Sequence, residues 1–97
     1  MARLNYARRA LSDLERLTDF LHASDPTAAE VTAGLIAEAV QILKNHPLIG
    51  RPAEGGFREL VISRGRSGYL ALYSFEEAAD TVLVLAIRHQ REAGFQP

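Results

Sequence analysis

The residues best suited to chemistry form a charged segment near the end of the chain, Arg88-His89-Gln90-Arg91-Glu92. Histidine titrates near neutral pH, and arginine recognises phosphate or carboxylate groups through paired hydrogen bonds. The segment follows the apolar run Thr81–Ile87, which predicts a strand. Because side chains alternate along a strand, Arg88 and His89 should point to opposite faces of a sheet. Titratable and anion-binding groups would then lie at the end of a rigid strand.

The composition is 47% hydrophobic and 24% charged, which is typical of a folded protein. The length of 97 residues predicts a single domain spanning residues 1–97. No apolar run approaches the roughly 20 residues that a membrane span requires, and the first residues show no signal-peptide core. Cysteine is absent, which excludes disulfides, thiolate metal sites and a cysteine nucleophile. We therefore expect a cytoplasmic protein without a membrane contact, and we assign it no metal and no other cofactor.

The charge balance argues against binding to a polyanion through a diffuse basic field, because the formal net charge is −1. From residue 51 onward six arginines are balanced by six acidic residues: Arg51, Arg58, Arg64, Arg66, Arg88 and Arg91 against Glu54, Glu59, Glu76, Glu77, Asp80 and Glu92. That half of the chain would receive no electrostatic help in approaching nucleic acid.

Two amphipathic helices are predicted in the first half of the chain. The first spans residues 7–21 and places these apolar residues on one face: Ala7, Ala10, Leu11, Leu14, Leu17 and Leu21. The second spans residues 27–45 and places these on one face: Ala28, Val31, Leu35, Ile36, Ala39, Ile42 and Leu43. Asp25-Pro26 predicts its start, as an acidic N-cap followed by proline at the first helical position. The short loop at 22–25 predicts an antiparallel hairpin.

Gly34 lies inside the second predicted helix and should cost about 1 kcal/mol relative to alanine. We expect close contact with the first helix to offset that cost. Asn45-His46-Pro47 then predicts the end of the helix.

A glycine- and proline-rich connector follows at residues 47–56, and beyond it the hydrophobic period changes from 3.6 to 2. Strands are predicted over residues 57–62, 69–75 and 81–87, joined by a basic turn at 64–68 and an acidic turn at 76–80. Short connections make these three strands an antiparallel meander. Residues 4–6 could form a short edge strand.

The last predicted strand is apolar on both faces, with Val82, Val84 and Ala86 on one and Leu83, Leu85 and Ile87 on the other. Simple alternation places Arg88 on the first of these faces and His89 on the second. Two helices can cover only one face of such a sheet. The other face must meet another chain or carry an exposed apolar groove, which indicates a protein that works by binding.

Several short motifs, taken in order, resemble the ParE/RelE superfamily of bacterial type II toxins. They are the opening helical hairpin, Pro-Leu-Ile-Gly-Arg at 47–51, Phe-Arg-Glu-Leu at 57–60, Tyr-x-x-x-Tyr at 69–73 and Ile-Arg-His-Gln-Arg-Glu at 87–92. The resemblance covers essentially the whole chain. It implies an α+β fold of order β-α-α-β-β-β, with the helical hairpin packed on one face of a 3–4-stranded antiparallel sheet. It also implies a cognate antitoxin whose C-terminal segment occupies the sheet groove.

Two activities occur in that superfamily. RelE-like toxins cut mRNA on the ribosome, whereas ParE-like toxins poison DNA gyrase and lack the catalytic set. The His-Gln-Arg-Glu segment resembles the ParE-like, plasmid-stabilisation branch more closely. The resemblance thus implies a gyrase inhibitor that causes growth arrest. The alternatives are a ribosome-dependent mRNA endoribonuclease and a non-toxic relic that only binds an antitoxin.

Cutting RNA would need an acid and a base around the scissile phosphate, together with cations for its charge. His89 is the candidate acid or base, and Arg58, Arg88 and Arg91 are the candidate cations. A histidine that merely hydrogen-bonds the turn or the antitoxin is the favoured interpretation of His89. The second half of the chain is neutral, and it contains no lysine after Gly50. Because it would approach the anionic ribosomal A site without electrostatic attraction, a protein target is favoured.

The predicted partner-binding residues are Arg58, Leu60, Ile62, Tyr69, Tyr73, Arg88, His89 and Arg91. Arg58 should share a face with Leu60 and Ile62, and it binds either a partner's anionic group or an acidic neighbour such as Glu92. For Tyr69 and Tyr73, a place in the core is favoured over stacking on a base.

Overall fold

The computed structural model describes residues 1–64 and 67–92, and within them two helices accompany a five-stranded sheet. In chain order the elements are β1 (Arg3–Tyr6), α1 (Arg8–Ser24), α2 (Pro26–Gln41), a 3₁₀ turn (Ile42–Lys44), β2 (Arg51–Pro52), a second 3₁₀ turn (Glu54–Gly56), β3 (Arg58–Arg64), β4 (Ser67–Glu76) and β5 (Thr81–His89). Of the predicted basic turn at 64–68, Gly65 and Arg66 lie outside the described residues.

The strands lie in the order β1-β5-β4-β3-β2. The antiparallel meander β3-β4-β5 is confirmed. However, β1 pairs with β5 in parallel, and the two-residue β2 adds an antiparallel edge strand. The sheet therefore has five strands rather than the predicted three or four, and it is mixed rather than purely antiparallel. No tight turn joins β1 to β5, because the helices and the meander separate them in the chain, and a parallel pair is therefore possible.

The predicted helical hairpin is also confirmed. The carboxylate of Asp25 accepts a hydrogen bond from the backbone N–H of Ala28 at 3.1 Å, and Pro26 occupies the first turn of α2. Asp25 alone separates the two helices, because α1 continues through Ser24. At its other end α2 stops four residues earlier than predicted and tightens into the 3₁₀ turn.

The face that α2 and the following 3₁₀ turn bury agrees with the predicted one in part, because Ile36 and Leu43 are buried and Leu35 and Ala39 pack against the core. Val31 and Ile42 are 45% and 46% exposed, whereas these residues are buried: Ala29, Thr32, Ile36, Val40 and Leu43. Since α2 is rich in alanine and β-branched residues on several sides, periodicity alone did not select the stripe that packs. The predicted contact of Gly34 with α1 is wrong, because a Cβ built on Gly34 would meet no atom within 4 Å.

The hydrophobic core lies between the helical hairpin and one face of the sheet. The helices contribute Ala10, Leu17, Ile36 and Val40, and the 3₁₀ turn after α2 contributes Leu43. The strands contribute Ile62, Tyr69, Ala71, Tyr73, Val82, Val84 and Ile87. We call this side of the sheet the helix face. The predicted α+β class, with the hairpin on one face of the sheet, is therefore confirmed. Neither helix in the described part of the chain combines the length and apolar character that a membrane crossing would need.

A β-bulge interrupts the pairing of β4 with β5. Tyr73 pairs with Val84, but the preceding residue, Leu72, pairs with Ala86, so that Leu85 is an extra residue in β5. Such an insertion reverses the alternation of side chains beyond it.

The bulge changes which face carries the charged end of β5. His89 pairs with Tyr69 on the helix face, whereas Arg88 pairs with Leu70 on the opposite side. The two side chains still belong to opposite faces, as alternation predicts. The prediction that Arg88 shares a face with Val82 and Val84 is wrong, because those valines precede the inserted residue.

The side of the sheet away from the core, here called the outer face, is largely apolar. Its register positions include Val61, Leu70, Leu72, Leu83 and Ala86. Val61 is 49% exposed, Leu72 and Leu83 are half-buried, and Leu70 and Ala86 are buried. Strand β5 is thus apolar on both faces, as predicted. The predicted faces of Ala86 and Ile87 are wrong, however, because both residues follow the inserted Leu85: Ala86 lies on the outer face and Ile87 on the helix face.

Candidate functional site

The charged segment that follows β5 folds back on the strand as a turn, His89–Glu92, which we call the β5 turn. A carboxylate oxygen of Glu92, Oε1, accepts a hydrogen bond from the backbone N–H of His89 at 3.0 Å. The backbone N–H of Glu92 donates to the carbonyl of His89, also at 3.0 Å. These reciprocal bonds close the turn at its two ends.

The imidazole of His89 also holds the turn. Its Nδ1 accepts a hydrogen bond from the backbone N–H of Arg91 at 3.1 Å. The ring stands edge-on to Tyr69, with centroids 5.2 Å apart and planes at 88°. His89 thus hydrogen-bonds the turn at the end of its strand, which agrees with the favoured interpretation of this residue.

Arg88 approaches the β5 turn from the outer face. Its Nη1 donates to the carbonyl of Glu92 at 2.8 Å and lies 3.3 and 3.4 Å from the carbonyls of His89 and Gln90. One guanidinium group thereby donates hydrogen bonds to the backbone carbonyls at the end of the strand. By contrast, Arg91 and Gln90 are exposed at the tip of the turn.

Two residues of α1 complete this site, and neither belongs to the apolar face predicted for that helix. Asp13 is only 4% exposed, and its Oδ2 accepts a hydrogen bond from the backbone N–H of Ile87 at 2.9 Å. Arg16 lies 3.7 Å from the Asp13 carboxylate and forms an ion pair with Glu92 at 3.2 Å. The first helix is therefore tied directly to the end of the last strand.

Asp13 could have been found from its spacing. It lies three residues after Ala10 and four before Leu17, both of which are buried, so helical periodicity puts its carboxylate on the core-facing stripe. A buried carboxylate is costly unless it is hydrogen-bonded and paired with a cation. Ile87 and Arg16 supply those two partners here.

A second polar cluster lies at the other end of the meander, beneath the connector. The Tyr73 hydroxyl donates to the carbonyl of Pro47 at 2.8 Å and accepts from the backbone N–H of Gly50 at 2.9 Å. Arg58 donates from Nη1 to the carbonyl of Gly50 at 2.8 Å and to that of Leu48 at 3.2 Å. Burial raises the pKa of Tyr73, while the Gly50 N–H and the Arg58 charge oppose that rise.

This arrangement leaves no space for a side chain at position 50. A Cβ built on Gly50 would lie 2.6 Å from Cε1 and from the hydroxyl oxygen of Tyr73. The glycine of the Pro-Leu-Ile-Gly-Arg motif is therefore required by close packing against the tyrosine.

The structure separates the predicted site residues into two groups. Arg88, His89 and Arg91 lie at the β5 turn, whereas Arg58 and Tyr73 lie beneath the connector. Arg58 shares the helix face with Leu60 and Ile62, as predicted, but it binds connector carbonyls; the proposed pairing with Glu92 is not formed, because Glu92 belongs to the β5 turn. Ile62, Tyr69 and Tyr73 are buried in the core, and Leu60 packs against it. The core interpretation of both tyrosines is thus confirmed.

The described residues form no cluster of side chains suited to binding a metal ion. Within residues 1–64 and 67–92, no three histidine, aspartate or glutamate side chains are grouped as ligands of an ion would be. The polar side chains instead bind backbone groups and one another.

Comparison with known proteins identifies the family. A sequence model described as the ParE toxin of the type II toxin–antitoxin system parDE matches residues 4–94. The chain belongs to the ParE toxin family. It is thus a toxin of a type II toxin–antitoxin system, as the order of its motifs suggested.

Individual relatives of this ParE-family toxin agree with the assignment. Toxin RelE3 of Caulobacter vibrioides is 34% identical over 84 residues, which cover 87% of this chain and 89% of that protein. The chromosomal ParDE toxin–antitoxin system of P. aeruginosa contains a chain of similar structure, with a TM-score of 0.78 and 26% identity over 92% of this chain and 96% of that one. The intact E. coli RelBE complex contains a chain of the same fold, with a TM-score of 0.64 and 16% identity over 95% of this chain and all of that one.

Proposed function

We propose that this ParE-family toxin inhibits DNA gyrase by binding it, without chemistry of its own. The observation that carries the proposal is the distance between the residues that a nuclease would use. Arg58 pairs in register with Tyr73, whereas His89 pairs with Tyr69. Four residues along β4 correspond to about 13 Å, and two strand spacings add about 10 Å across the sheet. An acid or base at His89 and a cation at Arg58 would not meet at one phosphate. Arg88 belongs to the opposite face of β5, so Arg91 is the one candidate cation that lies next to His89.

The hydrogen bonds of these residues support the same view. Arg58 holds the connector, Arg88 holds the β5 turn, and Nδ1 of His89 accepts a backbone hydrogen bond. Each of these contacts stabilises the local conformation of the chain. A pre-formed, charged turn at the end of a rigid strand is suited to docking against a protein surface.

The target-binding surface that we propose is the β5 turn together with Arg88. Arg91 is its most exposed charge, and arginine is enriched among residues that carry interface binding energy. The neutral second half of the chain favours recognition of a protein rather than of a nucleic acid. DNA gyrase is the target that the ParE branch implies.

We further propose that a cognate antitoxin neutralises the toxin by placing its C-terminal segment on the outer face. The similar chains from P. aeruginosa and E. coli come from toxin–antitoxin systems. Val61, Leu72 and Leu83 offer apolar area there that neither helix covers. Arg88 lies on this same face, so that an antitoxin segment would reach the edge of the target-binding surface.

Purified toxin tested in two assays decides between the functions. We expect it to block supercoiling of a relaxed plasmid by DNA gyrase and to leave mRNA intact in a translating extract. Arg91→Ala should weaken the block, whereas His22→Ala, at an exposed position on α1, should not.

Cuts in the mRNA that His89→Ala abolishes, together with normal supercoiling, would instead establish a RelE-like endoribonuclease. Growth that continues when the toxin is expressed without its antitoxin would identify a non-toxic relic. Either result would overturn the gyrase proposal.

A further inference from the structure

We propose that Asp13 and Arg16 of α1 are positioning residues that lock the β5 turn in its binding shape before the target arrives. This inference rests on the proposed function of the β5 turn, and it goes further by assigning a role to a helix that does not itself belong to that surface. The lock is a continuous series of contacts from the bulged strand, through the helix, to the turn.

The first contact of the lock is at the strand. The Ile87 N–H, two residues beyond the inserted Leu85, donates to Oδ2 of Asp13 in a buried setting. The bulge re-aims the backbone at this point, and the carboxylate of α1 receives the hydrogen bond. Asp13 thereby sets the position of the strand segment from which the β5 turn begins.

The second contact is the ion pair between Arg16 and Glu92. The Nη1 and Nη2 atoms of Arg16 lie 3.3 and 3.4 Å from Oε1 of Glu92, and Nη1 lies 3.2 Å from Oε2. The same Oε1 accepts the backbone N–H of His89. Arg16 therefore fixes the carboxylate that closes the β5 turn.

Position and charge make this network more than an isolated surface ion pair. Arg16 is shared between a buried carboxylate, Asp13, and a partly buried one, Glu92, and connected charges contribute more than a single exposed pair. A turn that is already ordered binds without the entropy cost of ordering. Loss of the lock should therefore weaken target binding although Arg88, His89 and Arg91 are all still present.

The test compares Arg16→Gln, Glu92→Gln and the double variant with Arg9→Gln, all in the full-length toxin. Arg9 is exposed on the same face of α1, two turns before Arg16, which makes it a matched control. Three quantities are measured: the toxin concentration that half-inhibits gyrase supercoiling, the hydrogen exchange rate of backbone amides, and the temperature of unfolding.

We expect each single variant to need roughly fivefold to tenfold more toxin for half-inhibition. The double variant should need no more toxin than the more impaired single variant, because all three variants lose the same contact. Arg16→Lys should recover part of the loss, and Arg9→Gln should match the wild type. Amide exchange should accelerate at His89 but not at Val84 in the core.

Equal inhibition by Arg16→Gln and the wild type would overturn the lock. So would faster exchange at Val84 as well as His89, because the residues would then serve general stability. If wild-type toxin does not inhibit gyrase, the proposed function fails, but the exchange data still test the lock. Faster exchange confined to the β5 turn of the variants would support the lock, and unchanged exchange would refute it.

Discussion

Asp13, near the start of α1, accepts a hydrogen bond from the backbone N–H of Ile87 at 2.9 Å, across 74 residues of sequence. This contact joins the first helix to the last strand just beyond the bulge in β5. It is also the buried end of the network that reaches the β5 turn through Arg16. A structural contact in the core and the shape of the proposed target-binding surface therefore depend on a single carboxylate.

Asp13→Ala should destabilise the fold by about 2–3 kcal/mol, because the buried N–H of Ile87 would lose its acceptor and Arg16 would lose a partner. The free energy of unfolding in urea measures the effect. Asp19→Ala, at an exposed position of the same helix, is the control and should change it by less than about 0.5 kcal/mol. Equal stability of the two variants would show that the Asp13 contact is energetically silent.

Gly34→Ala should stabilise the protein by about 1 kcal/mol. The residue is exposed in the interior of α2, and an added Cβ meets nothing within 4 Å, so only the gain in helix propensity is left. An increase in the urea midpoint without a change in slope would confirm this. A decrease would indicate that the helix needs flexibility or a close partner at this position.

Gly50→Ala should have the opposite effect and destabilise by about 2 kcal/mol or more, since the new methyl group would overlap the ring and hydroxyl of Tyr73. The same chemical change thus has opposite signs at positions 34 and 50. A crystal structure or NMR spectrum of the variant should show the connector displaced from Tyr73. Unchanged stability would mean that the connector moves away at no cost.

Stability should fall as the pH rises above about 10, the ordinary pKa of tyrosine. Burial raises the pKa values of Tyr6 and Tyr73, so these hydroxyls keep their protons in the folded protein while the same groups ionise in the unfolded chain. The unfolded state then binds fewer protons, and the free energy of unfolding decreases until the folded pKa is passed.

Urea titrations between pH 8.5 and 11.5 check this prediction. The double variant Tyr6→Phe/Tyr73→Phe should lose stability less steeply with pH than the wild type. All other titrating groups are common to both proteins, so their contributions cancel in the comparison. Parallel pH profiles would refute the assignment of the effect to these tyrosines.

Local sequence signals were sufficient for the elements and for the family. Asp25-Pro26 specifies the start of α2 through its own carboxylate and ring, and alternating apolar residues specify the three strands of the meander. Strand alternation correctly placed Arg58 beside Leu60 and Ile62, because no irregularity intervenes in β3. The order of short motifs was enough to identify a ParE/RelE-like toxin before any contact was known.

Tertiary structure alone decided which groups meet. Leu85 is an inserted residue only because of how β5 pairs with β4. The insertion puts Arg88 and His89 on the faces opposite to those that simple alternation from Val82 and Val84 predicts. The burial of Asp13 depends on an N–H that lies 74 residues away. The packed stripe of α2 and the parallel pairing of β1 likewise depend on distant partners. Local patterns determine the elements because their causes lie within a few residues, whereas the site is assembled by contacts between segments that are remote in the chain.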